Sequence, residues 1–107
     1  MSLFDRLWSA FFKRLASPAE MIGCLLDKSQ DLGSRDDIAM DLYASDLPEA
    51  EAALLAVASD PAEEEMIIDS AGESLAQIYK RQNRELSAEA LARLQPSARK
   101  FFQPPGV

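Results

Sequence analysis

Residues 35–79 read RDDIAMDLYASDLPEAEAALLAVASDPAEEEMIIDSAGESLAQIY, and this stretch decides the fold. A shift of 33 residues lays Asp36-Asp37-Ile38-Ala39 and Leu42 onto Asp69-Ser70-Ala71-Gly72 and Leu75. Both segments then carry a small residue three positions before a leucine, with an Ala/Leu-rich segment between them. The breaks, Asp46-Leu47-Pro48 and Asp60-Pro61, are very short. Helical segments recurring at this period stack as pairs, because one pair alone cannot bury its apolar face.

The individual helices follow from periodicity and capping. Ser34 is the expected N-cap of a helix through RDDIAMDLYA, with Asp36 and Asp37 in the first turn where the helix dipole favours acids. Ile38, Ala39, Leu42 and Tyr43 form its inward face, and Asp37 and Asp41 lie one turn apart on the other side. Pro48 opens the next helix, PEAEAALLAVAS. Residues 62–82 predict the longest helix, with Glu63, Glu64 and Glu65 at its start and Lys80 and Arg81 at its end. Gly72 weakens a helix interior by about 1 kcal/mol against alanine, which points to a neighbouring helix in close contact or to a bend.

Working outward, residues 3–16 place Leu3, Phe4, Leu7, Trp8, Phe11, Phe12 and Leu15 on one helical face. Ser17-Pro18 then caps and opens a second helix over residues 18–28, with Met21, Ile22, Leu25 and Leu26 inward. SQDLGS reads as a loop. Beyond residue 82, Ser87 caps SAEALARL, Gln95-Pro96 stops it, and PSARKFF adds a further turn or two before a frayed tail, QPPGV. Nothing alternates with period two, so no strand is expected. The expectation is one all-α domain over residues 1–107, of five to seven helices in antiparallel pairs.

Composition narrows the chemistry. The chain has no histidine and one cysteine, Cys24. The commonest general base is therefore missing, a Cys/His zinc site cannot be assembled, and no disulfide can form within the chain. Cys24 sits in MIGCLL, where a thiol behaves as a small core residue, and a reducing compartment suits it. The net charge of −7 is segregated: residues 27–75 hold fourteen acids against Lys28 and Arg35, a net of −12, and the flanks are net basic. An acidic middle repels phosphate backbones and draws basic partners, so no direct nucleic-acid binding is expected there.

Two resemblances rest on these segments. Arg35, Ala39, Leu42, LLAVASDP at 54–61 and AGESLAQI at 71–78 resemble HEAT-type repeats, in which such residues fill the helix-pair core and a tight Asp-Pro turn. The chain departs from that pattern in having fewer than three full repeats, and in carrying glutamates at 63–65 where the family has a basic residue. The resemblance implies a short HEAT-like solenoid, with N-terminal helices in 1–33, a core in 34–82 and short C-terminal helices with a tail in 83–107. The segments RDDIAMDL, DLPEAEAAL, SDPAEEE and IIDSAGESLAQI also resemble small acidic all-helical bacterial immunity proteins of the contact-dependent growth inhibition type. That resemblance implies a cytoplasmic protein that binds one cognate toxin domain, often a nuclease, and blocks its active site or substrate groove.

The candidate partner-binding residues are Asp36, Asp37, Asp41, Asp69 and Glu73, which the 33-residue register gathers into one acidic face, with Met40 and Tyr43 as adaptable apolar contacts beside them. The bland reading is a solvated face and, for Met40, Tyr43 and Met66, ordinary core packing. No catalytic constellation, cofactor motif or EF-hand spacing appears, so the expectation is a binding protein that is not an enzyme and takes no cofactor or metal. Two other functions fit the sequence. One is an adaptor whose helix pairs bind a host protein. The other is a peripheral membrane protein anchored by residues 3–16, with Arg6, Lys13 and Arg14 flanking the aromatic face; a terminal helix docked on the core accounts for the same pattern.

Overall fold

The computed structural model describes residues 16–103. The helix expected over residues 3–16, Ala16 excepted, and the last four residues of the tail lie outside them. Among the described residues there are six α-helices and two short 3-10 turns, with no strand. The chain is all-α.

The helices are α1 (Pro18–Leu26), α2 (Leu32–Asp41), α3 (Pro48–Ala58), α4 (Glu65–Arg81), α5 (Ala88–Arg93) and α6 (Pro96–Arg99). One 3-10 turn, Leu42–Ala44, extends α2, and another, Lys100–Phe102, follows α6. Their starts are chemically explicit. The Ser17 hydroxyl accepts from the Glu20 N–H while the Glu20 carboxylate accepts from the Ser17 N–H, a capping box ahead of Pro18. Ser87 caps α5 through the Ala90 N–H, and prolines open α3 and α6.

Three expectations are corrected. First, α2 begins at Leu32, because Asp31 is its cap and accepts from both the Ser34 N–H and the Ser34 hydroxyl. A carboxylate three residues earlier thus takes the role expected of Ser34. Second, the long helix starts at Glu65, since Asp60 folds the intervening loop back on itself by accepting from the Ala62 N–H. Third, Leu26 and Tyr43 face solvent. Leu25 takes the core position and leaves Leu26, about 100° further around α1, at the surface, and Tyr43 lies in the 3-10 turn, off the core face.

α4 is the central helix. Its buried face, including Ile67, Ile68, Ala71, Leu75 and Ile78, joins Ile38, Leu42, Leu54, Val57 and Leu25 in one core. α2 and α4 run parallel: Asp36 meets Ser70, Ala39 meets Ser74, and the Tyr43 carbonyl meets Arg81. The two helices aligned by the 33-residue register therefore lie side by side. α3 runs antiparallel to α4, with Glu51 near its start bonded to Tyr79 and Arg84 at the far end. α1 packs on α2 and α3.

Close approach explains Gly72. A Cβ added there would lie 2.5 Å from Ala98 Cα and 2.7 Å from Ala98 Cβ, so α6 seats directly on the α4 backbone. α6 is also fixed to α3 by the Gln95 N–H, which donates to the Ala58 carbonyl at 2.9 Å. α4 ends where Asn83 takes a left-handed backbone, φ 53°, and the Asn83 and Arg84 N–H groups close on the Lys80 and Tyr79 carbonyls.

Candidate functional site

The parallel contact of α2 and α4 leaves a shallow depression at the C-terminal end of α2. Small residues make that contact possible: the Ser74 hydroxyl donates to the Ala39 carbonyl, and the Ser70 hydroxyl to the Asp36 carboxylate at 2.6 Å. The depression, about 300 Å³, is lined by Met40, Asp41 and Tyr43 from the α2 end and by Ser70, Glu73, Ser74 and Gln77 from α4. Met40 is 50% exposed and Tyr43 41%, and Glu73 is exposed as well. Four of the seven sequence-derived candidates thus meet here: Met40, Asp41, Tyr43 and Glu73.

The other three are placed differently. Asp36 is half-buried, and its carboxylate is taken by Ser70 as part of the α2–α4 joint. Asp37 lies one turn before Asp41, also half-buried. Asp69 does not line the depression; it pairs with Lys100 of the C-terminal segment at 2.5 Å. The periodicity placed Asp69 on the helix that carries Glu73, but three residues of a helix cannot reveal which neighbour a carboxylate meets. Gln77 and Ser74 were missed, although Gln77 follows Glu73 at the i, i+4 spacing that puts both on one surface.

Glu73 and Gln77 also border a larger open groove of about 650 Å³ between the C-terminal half of α4 and the C-terminal segment, with Leu86, Leu91 and Phe102 among its lining residues. One wall of that groove is a fixed cluster. Tyr79 donates to Glu51 at 2.5 Å, Arg84 holds Glu51 through both Nη atoms, and the Arg84 guanidinium sits 4.6 Å over the Tyr79 ring. Burial first, and then the Glu51 carboxylate, push the Tyr79 phenol up to about 12. The Arg84 hydrogen bonds hold Glu51 below its ordinary range. These groups satisfy one another, so the cluster builds a wall and supplies no acid or base near neutrality.

A second ionic arrangement lies inside the protein. Arg35 Nη1 and Nη2 reach the two Glu63 oxygens at 3.0 and 2.6 Å, and Arg35 Nε donates to the Leu25 carbonyl at 2.9 Å. Both side chains are 3% exposed. The hydrogen bonds from Arg35 hold Glu63 below its ordinary range against the opposing effect of burial. Glu63 was read as a helix-start acid in company with Glu64 and Glu65; it is instead a core residue joining the α3–α4 loop to α2 and α1. Cys24 is half-buried nearby, and burial pushes its thiol up.

Among the described residues, no three His, Cys, Asp or Glu side chains gather closely enough to hold a metal ion. No described helix is long and apolar enough to cross a membrane. No protein-family model, curated protein or solved structure matches the chain.

Proposed function

We propose that the chain is a binding protein whose α2–α4 face engages a basic domain of a partner protein, and that this partner is a cognate bacterial toxin domain, such as a nuclease, which the chain neutralises. The observation that carries the reading is the meeting of Asp41 and Glu73 with exposed Met40 and Tyr43 around one depression. Acids beside flexible apolar and aromatic side chains form a rim-and-anchor pattern suited to protein recognition. The surrounding segment carries a net of −12 over residues 27–75, a field that steers a positively charged partner.

Occlusion is the mechanism. A nuclease must present arginines and lysines to phosphates, and carboxylates on a folded helical face take those same cations. Covering the groove then excludes the substrate without any chemistry by the inhibitor. The toxin assignment within this reading draws on the resemblance of residues 34–79 to acidic immunity proteins.

The experiment is affinity capture from the source organism with the native chain and with a Tyr43→Asp/Glu73→Lys variant, together with inspection of the neighbouring gene. The reading expects a secreted protein encoded alongside, whose C-terminal domain co-purifies with the native chain and not with the variant. Constitutive association with a housekeeping protein and no toxin gene nearby would replace it with an adaptor function.

A further inference from the structure

Six large apolar side chains stand exposed among the described residues, and four of them, Leu32, Met40, Tyr43 and Met66, border the seam between α2 and α4. The two helices run parallel and touch where the Ser70 hydroxyl donates to the Asp36 carboxylate. Leu32 and Met66 each lie one turn before that contact, on the same sides of their own helices. Leu32 also shares a hollow with Glu63 and Glu64, at the entry to α4. Met40 lies one turn after Asp36, and with Tyr43 it lines the depression beside Glu73 and Gln77. The seam thus has an apolar pair at each end, about 12 Å apart along α2 at 1.5 Å per residue.

Between those ends the surface is polar and acidic. Residues 36–43 and 64–77 hold seven acids and no lysine or arginine. Asp69 is held by Lys100, but among the described residues Glu73 enters no ion pair. Arg81, where the seam ends, is already bound to Asp46 and to the Tyr43 carbonyl. The charge therefore calls for a basic guest. The form of that guest follows from the backbone. Both walls are helices whose N–H and C=O groups are bonded along their own axes, so the seam offers no row of partners to an extended chain. A helix satisfies its own backbone and needs only side-chain contacts.

We infer that the basic partner of this face lays an amphipathic α-helix along the α2–α4 seam. Two apolar side chains of that helix, seven or eight positions apart, sit on the Leu32/Met66 end and the Met40/Tyr43 end, and an arginine or lysine between them faces Glu73. The inference rests on the function proposed above for the existence of a basic partner, and adds the element by which the partner is held.

The methionines supply the probe. Met40 and Met66 mark the two ends of the seam, and Met21 in α1 serves as a reference. The full chain, carrying carbon-13-labelled methionine methyl groups, is titrated with two helical peptides of one composition, built on alanine and lysine with two leucines. In the first peptide the leucines stand seven positions apart on one face; in the second they stand five apart, about 140° around the helix. The expected result is that the Met40 and Met66 resonances shift together while Met21 stays, and that the first peptide binds about tenfold more tightly than the second. Met66→Asn, a neutral change at an exposed position, should weaken the first peptide about fivefold. Movement of Met40 alone, equal binding of the two peptides, binding of neither, or equal affinity for a proline-interrupted version of the first would overturn the inference. A captured toxin domain that is lost with Tyr43→Asp/Glu73→Lys but retained by Met66→Asn would overturn the seam and leave the proposed function standing. Peptide binding at both ends with no toxin captured would support the seam and remove the toxin.

Discussion

The Arg35 guanidinium grips both carboxylate oxygens of Glu63, 28 residues away, in the interior of the protein. Its remaining Nε donor goes to the Leu25 carbonyl, so one side chain joins α1, α2 and the loop before α4. A buried pair of this kind is held in place by mutual dependence. Removing one partner leaves a charge without compensation, whereas replacing both with apolar groups of similar volume does not. Arg35→Met is expected to destabilise the fold by about 3–5 kcal/mol, and Glu63→Leu by a similar amount. The double replacement should recover most of that loss. Urea unfolding of the three variants checks the cycle.

Acid sensitivity follows from the same pair. Glu63 titrates below its ordinary value of 4.5 in the folded protein because Arg35 bonds its charged form. A depressed folded-state pKa contributes stability that is present above the unfolded value and is lost as pH falls through the folded one. The thermal midpoint should therefore hold from neutrality to about pH 5 and fall below about pH 4. Glu51, Asp46 and Asp60, each held low by a bonded cation, add to the same slope. Glu63→Gln should be less stable at neutral pH and show a shallower acid limb in differential scanning calorimetry.

Gly72 makes an opposite prediction to helix propensity. Alanine is favoured over glycine by about 1 kcal/mol in an open helix interior. Here the new methyl would meet the Ala98 backbone at 2.5 Å, so α6 must move away from α4. Gly72→Ala is expected to be destabilising by about 1–3 kcal/mol, the range for overpacking. A gain in stability would mean that α6 is not seated as described. Hydrogen exchange at Ala98 and Arg99, whose N–H groups donate to the Gln95 carbonyl, should rise in this variant.

Asp69 and Glu73 share a helix and a charge, yet their surroundings separate their expected effects. Asp69 bonds Lys100 at the surface, an exposed pair worth about 0–1 kcal/mol. Glu73 lines the depression with Met40 and Tyr43. Glu73→Lys should weaken partner binding about tenfold or more, equivalent to ~1.4 kcal/mol, while Asp69→Lys changes it little. Titration calorimetry with the partner domain distinguishes them, and equal losses would return Asp69 to the binding face.

Much of the architecture was legible because it is local. Pro18, Pro48, Ser87 and Pro96 mark helix starts by rules that act within a few residues, and the structure places them at those starts. The 33-residue register also carried real information: the two helices it aligns lie side by side, joined by Ser70 to Asp36 and by Ser74 to the Ala39 carbonyl across the α2–α4 contact. The illegible parts are those decided at a distance. An acid before a helix looks the same whether it caps a dipole or receives an arginine from elsewhere, so Glu63 was indistinguishable from Glu64 and Glu65. Asp69 was likewise assigned by its helix, while Lys100, which meets it, comes from the far end of the chain. Met40 and Tyr43 suited core and surface equally in the sequence; both prove exposed, Met40 on the outer side of α2 and Tyr43 in the 3-10 turn at Leu42–Ala44.

The most direct test of the central claim is survival. Cells expressing the C-terminal domain of the secreted protein that the proposed function expects to be encoded beside this chain would be grown with the native chain, with Tyr43→Asp/Glu73→Lys, or with Asp69→Lys. The account predicts that the domain alone arrests growth, that the native and Asp69→Lys chains restore it, and that the Tyr43→Asp/Glu73→Lys chain, expressed at the same level, does not. Restoration by all three, or by none, would contradict a toxin-neutralising role for the α2–α4 face.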